Sequence, residues 1–233
     1  MKISLFGLSS FPQGKRNIKD PRLDEADKLV EAQKKTYAQI DVVAEDDLLT
    51  ADAILTTRAA LSDLLMKDLE AVETRLGRDP GEAEKAVLNK LAEALTSEKA
   101  ISAAGLSADE LGVISAHNFC STKPVIVAEE SELGDPDALL VRTFKEAGYI
   151  SFLTVGGKEN RAWPIRAGVT AWDAAGTIHT DIQKGFIRVE VISFADLTAA
   201  GGETEAKRAG KQRLELKTYV MQDYDVANFR FNK

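Results

Sequence analysis

Hydrophobic positions recur with two different periods along this chain. Between residues 61 and 95 they fall at helical spacing. Leu61, Leu64, Leu65, Leu69, Val72 and Leu76 form one stripe, and Val87, Leu88, Leu91 and Leu95 form a second. The segment Gly77-Arg78-Asp79-Pro80-Gly81 separates them. Two amphipathic helices on so short a link are expected to pack antiparallel as a hairpin. Ser107-Ala108-Asp109-Glu110 has a capping-box pattern and predicts a third helix. Elsewhere the pattern is that of strands. Residues 2–7 and Lys123–Ala128 are continuous apolar runs of the parallel-sheet kind, and Ile40, Val42, Val43 and residues 53–57 suggest two shorter strands. Ser9–Lys19 reads as a loop. Asp20-Pro21 opens a helix with Leu23, Ala26, Leu29 and Val30 on one face, and residues 138–147 form another.

From Ile150 onward β-branched and aromatic residues, glycines and turn pairs dominate. Strands are expected at 186–191, 219–221 and 229–231, the last two joined by Asp223-Tyr224-Asp225. Strict alternation along 186–191 would put Phe186, Arg188 and Glu190 outside and Ile187, Val189 and Val191 in the core, with Lys184 on the Arg188 side. Trp163 reads as core and Trp172 as exposed. The fold class expected is therefore α/β plus α+β. A parallel α/β part spans 1–58 and 119–147, a helical insertion 59–118, and a small mixed-sheet domain 148–233.

Composition narrows the class. At 233 residues and 44% hydrophobic content the chain can bury one large core or two small ones, and 29% charged residues is ordinary for a globular protein. No apolar run approaches the roughly 18–20 residues of a membrane span, and MKISLFGLSS is too short in apolar residues for a signal peptide. A single cysteine, Cys120, fits a reducing cytoplasm and reads as a small buried hydrophobe. With only His117 and His179 beside it, no zinc site can be assembled and no metal is expected. The net charge of −7 is uneven. Residues 151–233 carry 12 basic against 10 acidic side chains, and the first 150 carry 18 against 27. A polyanion would be repelled by the first part, so any nucleic-acid contact is expected in the last third.

A specific resemblance enters in that last third. Arg161-Ala162-Trp163-Pro164-Ile165, then Ala174-Ala175-Gly176-Thr177-Ile178-His179-Thr180-Asp181 and Lys184-Gly185-Phe186-Ile187-Arg188, resemble the C-terminal TGS (DUF933-type) domain of the Obg-like ATPase (YchF) family. The likeness continues through Ala209-Gly210-Lys211, Arg213-Leu214-Glu215, Asp225-Val226 and Phe229-Arg230-Phe231-Asn232. It implies a ubiquitin-like β-grasp fold and contact with ribosomes or RNA. Leu216 and Tyr224 stand where the family usually has glycine, so strain is expected there if positive φ is kept. Upstream the likeness survives in fragments: Asp20-Pro21-Arg22-Leu23-Asp24, Ala51-Asp52-Ala53-Ile54, residues 68–73 and residues 123–128. The chain is much shorter than a full member, and the resemblance implies a truncated, degenerate G domain.

Its nucleotide site departs from the family pattern. A phosphate loop needs G-x-x-x-x-G-K-[ST] between a strand and a helix. Here six residues separate Gly7 from Gly14, Pro12 removes an N–H, and Arg16 follows Lys15 where a Mg²⁺-binding hydroxyl belongs. No amphipathic helix follows. The Asp-x-x-Gly motif is reduced to Asp41-Val42-Val43-Ala44, and Glu129 stands at the asparagine of the base-recognition motif. Gly7, Gly14, Lys15 and Asp41 are the residues left to hold a nucleotide.

No catalytic constellation stands out, since Ser9 and Ser10 lack a base and His179 reads as a turn residue. Arg161, Arg166, Trp172, His179, Lys184 and Arg188 are the candidate RNA or ribosome contacts. The leading expectation is a non-hydrolysing protein that binds a ribosome, RNA or a protein partner through its TGS domain, with no cofactor. The alternatives are a minimal NTPase using ATP or GTP with Mg²⁺, and an interaction module acting through the helical hairpin.

Overall fold

The computed structural model describes residues 1–232. In chain order it contains β1 (Lys2–Phe6), β2 (Gly14–Ile18), α1 (Pro21–Leu29), β3 (Lys35–Thr36), β4 (Ala38–Val43) and β5 (Ala53–Thr57). These are followed by α2 (Arg58–Leu76), α3 (Glu82–Thr96), α4 (Ala108–Ile114), β6 (Val125–Ala128) and α5 (Pro136–Glu146). Then come β7 (Tyr149–Thr154), β8 (Asn160–Arg166), α6 (Ala171–Ile178), α7 (Thr180–Lys184), β9 (Phe186–Ile192), α8 (Phe194–Ala200), α9 (Glu203–Arg208), β10 (Arg213–Glu215) and β11 (Val226–Phe231). No helix among the described residues is long and apolar enough to cross a membrane. The chain divides into two compact units, residues 1–16 with 40–139 and residues 17–39 with 140–233. This division differs from the boundaries read from the sequence, because residues 17–39 group with the C-terminal part.

The first unit is built on a sheet of order β2-β4-β1-β5-β6, parallel between β4, β1, β5 and β6. Ile3, Leu5, Ile54 and Leu55 are almost fully buried in it, as near-continuous apolar parallel strands should be. The α2–α3 hairpin follows β5. Arg75 near the link pairs with Glu84 at 2.6 Å, and Ser62 at the far end bonds Glu98 at 3.2 Å, so the helices run antiparallel. The two stripes meet in one cluster with Ile101, Ile114 and Phe119, Leu69 and Leu76 being partly buried, while Leu64 packs with Phe6, Leu48 and Ile54. α4 begins where Ser107 and Glu110 form the expected capping box.

Asp68, in mid-α2, is buried at 2% exposure. Its carboxylate accepts from Cys120 N–H (2.6 Å), Ser121 N–H (2.7 Å) and Ser121 Oγ (2.6 Å). It thereby pins the turn that leads into β6.

The second unit has a sheet of order β10-β9-β11-β7-β8-β3. Without β3 the strands are two antiparallel hairpin strands (β7, β8), a helix, then β9, β10 and a central β11 parallel to β7, which is β-grasp connectivity. Phe152, Ala171, Ala174, Ala175, Val189, Val191 and Phe229 form the core between the sheet and α6. Residues 17–39 enter this unit through β3, which pairs in parallel with β8, and through α1, which packs on β8 and α8. Leu23 and Ala26 of α1 are fully buried. Asn160, also buried, donates to Asp27 (2.8 Å) and to Val30 C=O (2.7 Å).

Three expectations need correction. Residues 14–18 are a strand, not part of a loop, because Ile18 buries at the sheet edge while Gly14 and Lys15 stay exposed. Residues 219–221 form no strand. They bond singly to the segment before and into α6, Ala171 N–H to Tyr219 C=O and Met221 N–H to Val169 C=O. Ile187 is exposed rather than in the core. The ladder pairs Arg230 with Arg188 but Phe231 with Phe186, so Ile187 is the extra residue of a β-bulge. That bulge reverses the alternation and turns Phe186 onto the core, away from the Arg188 side.

Candidate functional site

The C-terminal ends of parallel strands are where open α/β sheets hold ligands. At the ends of β1 and β4 lies an open crevice lined by Leu5, Gly7, Leu8, Ser9, Gln13, Ala44 and Glu45. Gly7 has φ +68°, and a Cβ there would sit 2.3 Å from the Cβ of Ala60 in the first turn of α2. Glycine is thus required at this turn by close approach as well as by backbone conformation. The only charged lining residue is Glu45, itself 3.3 Å from Lys67.

The four nucleotide candidates are not brought together. Gly14 and Lys15 are exposed on the edge strand β2, and Gly14 has open space around it. Asp41 pairs with Lys2, at the opposite end of β1 from Gly7. Five residues of strand separate those ends by roughly 16 Å. Arg16 lies 3.8 Å from Asp137. Glu129 serves as the cap of the turn after β6, its N–H bonded to Glu132 at 2.9 Å. As placed, these residues do not compose a phosphate cradle: β1 is followed by a strand rather than a helix, and the crevice carries a carboxylate. Among the described residues no group of three or more His, Cys, Asp or Glu could hold a metal ion.

The six ribosome or RNA candidates are spread over both faces of the C-terminal sheet. Arg161 lies 3.9 Å from the ring of Trp163 and 3.6 Å from Glu159. Trp163 is half-buried and stacks on Phe152. Arg166, at the end of β8, is exposed beside the Tyr149 ring at 5.0 Å. Trp172 is 43% exposed on α6. His179 caps α7, its Nδ1 accepting from Asp181 N–H at 3.1 Å. Lys184 ends α7 and is exposed. Arg188 lies on the face opposite Val189 and Val191, hence away from α6 and Trp172. Lys184 and Arg188 have no ion-pair partner among the described residues.

A further cluster was hidden in the Asp20-Pro21-Arg22-Leu23-Asp24 segment. The Arg22 guanidinium bonds Asp20 (3.0 and 2.7 Å) and Asp223 (2.8 Å) and stacks 3.7 Å from the Tyr224 ring. Burial would raise the Asp20 pKa, but its bonds from Arg22 win and hold it below the usual carboxylate range. Tyr224 keeps the positive φ of the family glycine (+63°), whereas Leu216 does not. The left-handed backbone costs about 1–2 kcal/mol. Burial of the ring against Phe194 and Arg22 offsets that cost. Burial is also what pushes the Tyr219 phenol up to about 12, helped by Asp225 at 2.8 Å.

Residues 149–232 match the family model YchF-GTPase_C, described as a protein of unknown function (DUF933). The ribosome-binding ATPase YchF of Haemophilus influenzae is 32% identical over 233 aligned residues, covering 73% of this chain and 64% of that protein. The protein of the same name from Bacillus subtilis is 28% identical with the same coverage. This chain thus spans 64% of the length of these relatives. Among solved structures, the Schizosaccharomyces pombe YchF GTPase superposes with a TM-score of 0.77 at 18% identity, covering 99% of this chain and 97% of that one, a likeness of fold.

Proposed function

This chain belongs to the YchF/Obg-like ATPase family, and on that premise we propose that it is a ribosome-associated binding protein that does not turn over nucleotide. The observation that carries the second half is the crevice at the end of β1. Its one charged lining residue among those described, Glu45, is paired with Lys67, β1 runs on to an edge strand, and Asp41 lies at the far end of the sheet. Phosphoryl transfer depends on positioning and electrostatic stabilisation, and each of these features works against both. The ribosome half is supported by the names of the relatives and by the uneven charge, which leaves the C-terminal unit the less repelled by a polyanion. A ribosomal partner would place the protein in the cytoplasm.

The C-terminal domain is the contact in this reading, with Lys184 and Arg188 as unpaired cations on it. The test is co-sedimentation of the full chain with ribosomes at several salt concentrations. Lys184→Ala with Arg188→Ala should weaken binding and lower the salt slope by about one unit per lost phosphate contact. Unchanged binding by the double variant would move the contact to the α2–α3 hairpin.

The nucleotide alternative has one observation in its favour, the close approach of Gly7 to α2. Turnover of ATP or GTP that disappears in Lys15→Ala would establish it and overturn the non-hydrolysing reading.

A further inference from the structure

The C-terminal sheet has an internal open edge. β11 pairs with β9 along its whole length but with β7 only at Val226 and Leu153. β7 ends at Thr154, one residue past that pair, while β11 continues five residues to Phe231. Leu153 N–H donates to Asp225 C=O at 2.8 Å, and Asn232 N–H donates to Gly185 C=O at 2.9 Å on the other side. Odd-numbered residues of β11 therefore aim their backbone groups toward β7, and even-numbered ones toward β9. The N–H and C=O of Phe229 and the N–H of Phe231 point past the end of β7. Among the described residues nothing hydrogen-bonds them. Strand backbone groups without partners demand water or another chain.

The space beside them is a cleft with a volume of about 490 Å³, within the range of sites that enclose ligands. Ile178 and Ile182 wall it on the α6–α7 side. Glu190, on the opposite sheet face and bonded by Arg230 at 2.8 Å, lines it with Glu203 and Lys207, which pair with each other at 2.7 Å. Phe229 and Phe231 themselves form its floor.

We propose that this notch receives an extended peptide from a partner protein as an added strand on β11. Strand addition satisfies the free backbone groups in the register that the sheet already sets. Successive side chains of the peptide then alternate between faces. Those on one face rest on Ile178 and Ile182 and should be β-branched and apolar. Those on the other meet the Glu190–Arg230 and Glu203–Lys207 pairs and should be small and hydroxylic. The inference goes beyond ribosome association and does not depend on it.

The experiment uses the full chain and a seven-residue acetylated, amidated peptide that alternates valine with threonine and serine. Amide hydrogen exchange is followed residue by residue. Binding should slow exchange at Phe229 and Phe231 by about tenfold or more. The same peptide N-methylated at alternate residues should give no protection, since it lacks the donors that pair with β11. Val155→Trp, a loop substitution that fills the notch, should also abolish protection. The proposal is overturned if the peptide gives no protection at millimolar concentration, or if the N-methylated peptide protects equally. Protection of the same amides by oligouridine instead would also overturn it. The N-methylated arm uses the unaltered protein, so the test stands even where Val155→Trp disturbs folding.

Discussion

Leu23→Ala should destabilise the C-terminal unit, although Leu23 lies some 120 residues before most of that unit in sequence. Leu23 is fully buried in α1, which packs on β8 and α8. Truncating such a leucine costs about 3 kcal/mol, the sum of lost transfer free energy and the cavity left behind. With a urea slope of about 1–3 kcal/mol per molar, the midpoint should fall by about 1–3 M. The assay is built into the sequence. Both tryptophans, Trp163 and Trp172, lie in the C-terminal unit, so tryptophan fluorescence follows its unfolding alone. Leu91→Ala, an equally buried change in the α2–α3 hairpin, is the control. It should leave the fluorescence midpoint nearly unmoved and lower the helical signal of the first unit. An unchanged fluorescence midpoint for Leu23→Ala would refute the assignment of residues 17–39 to the C-terminal core.

Three further outcomes are expected. Asp68→Ala strands two backbone N–H groups and a hydroxyl, at roughly 1–3 kcal/mol each before relaxation. By loosening the turn it should speed reaction of the Cys120 thiol with a disulfide reagent, and an unchanged rate would argue against Asp68 as the clamp. Glu84 is held down to about 2 by its bonds from Arg75, with His117 adding to them against a smaller effect of burial. Its folded pKa lies below its ordinary 4.5, so its contribution to hairpin stability is present above about pH 4.5 and lost as pH falls toward 2. Glu84→Gln should flatten acid unfolding of the first unit in that window, and a wild-type acid profile would contradict the assignment. Finally, Mg·ATP or Mg·GTP at millimolar concentration should leave the melting temperature unshifted, because a ligand bound only by the native state must raise it.

The elements that were legible in the sequence are those whose local pattern and tertiary role agree. The leucine stripes of α2 and α3 bury the faces that their spacing marks, and Ser107 and Asp20 cap the helices that they precede. The run of matched residues after 148 carries the β-grasp domain, its Phe152, Ala171, Ala174, Val189, Val191 and Phe229 closing one core.

What the sequence could not show is what depends on partners distant along the chain. Residues 14–18 carry one buried side chain, Ile18, too little alternation to announce a strand, and they become one only because a sheet edge is there to pair with. Residues 17–39 join the C-terminal unit because α1 and β3 find β8 about 130 residues later, a pairing that no local period encodes. A one-residue bulge at Ile187 turns Phe186 inward, away from the face of Arg188, since a strand's period of two reverses with a single inserted residue. The open edge of β11 arises from two strand lengths that differ, a quantity that exists only once the strands lie side by side.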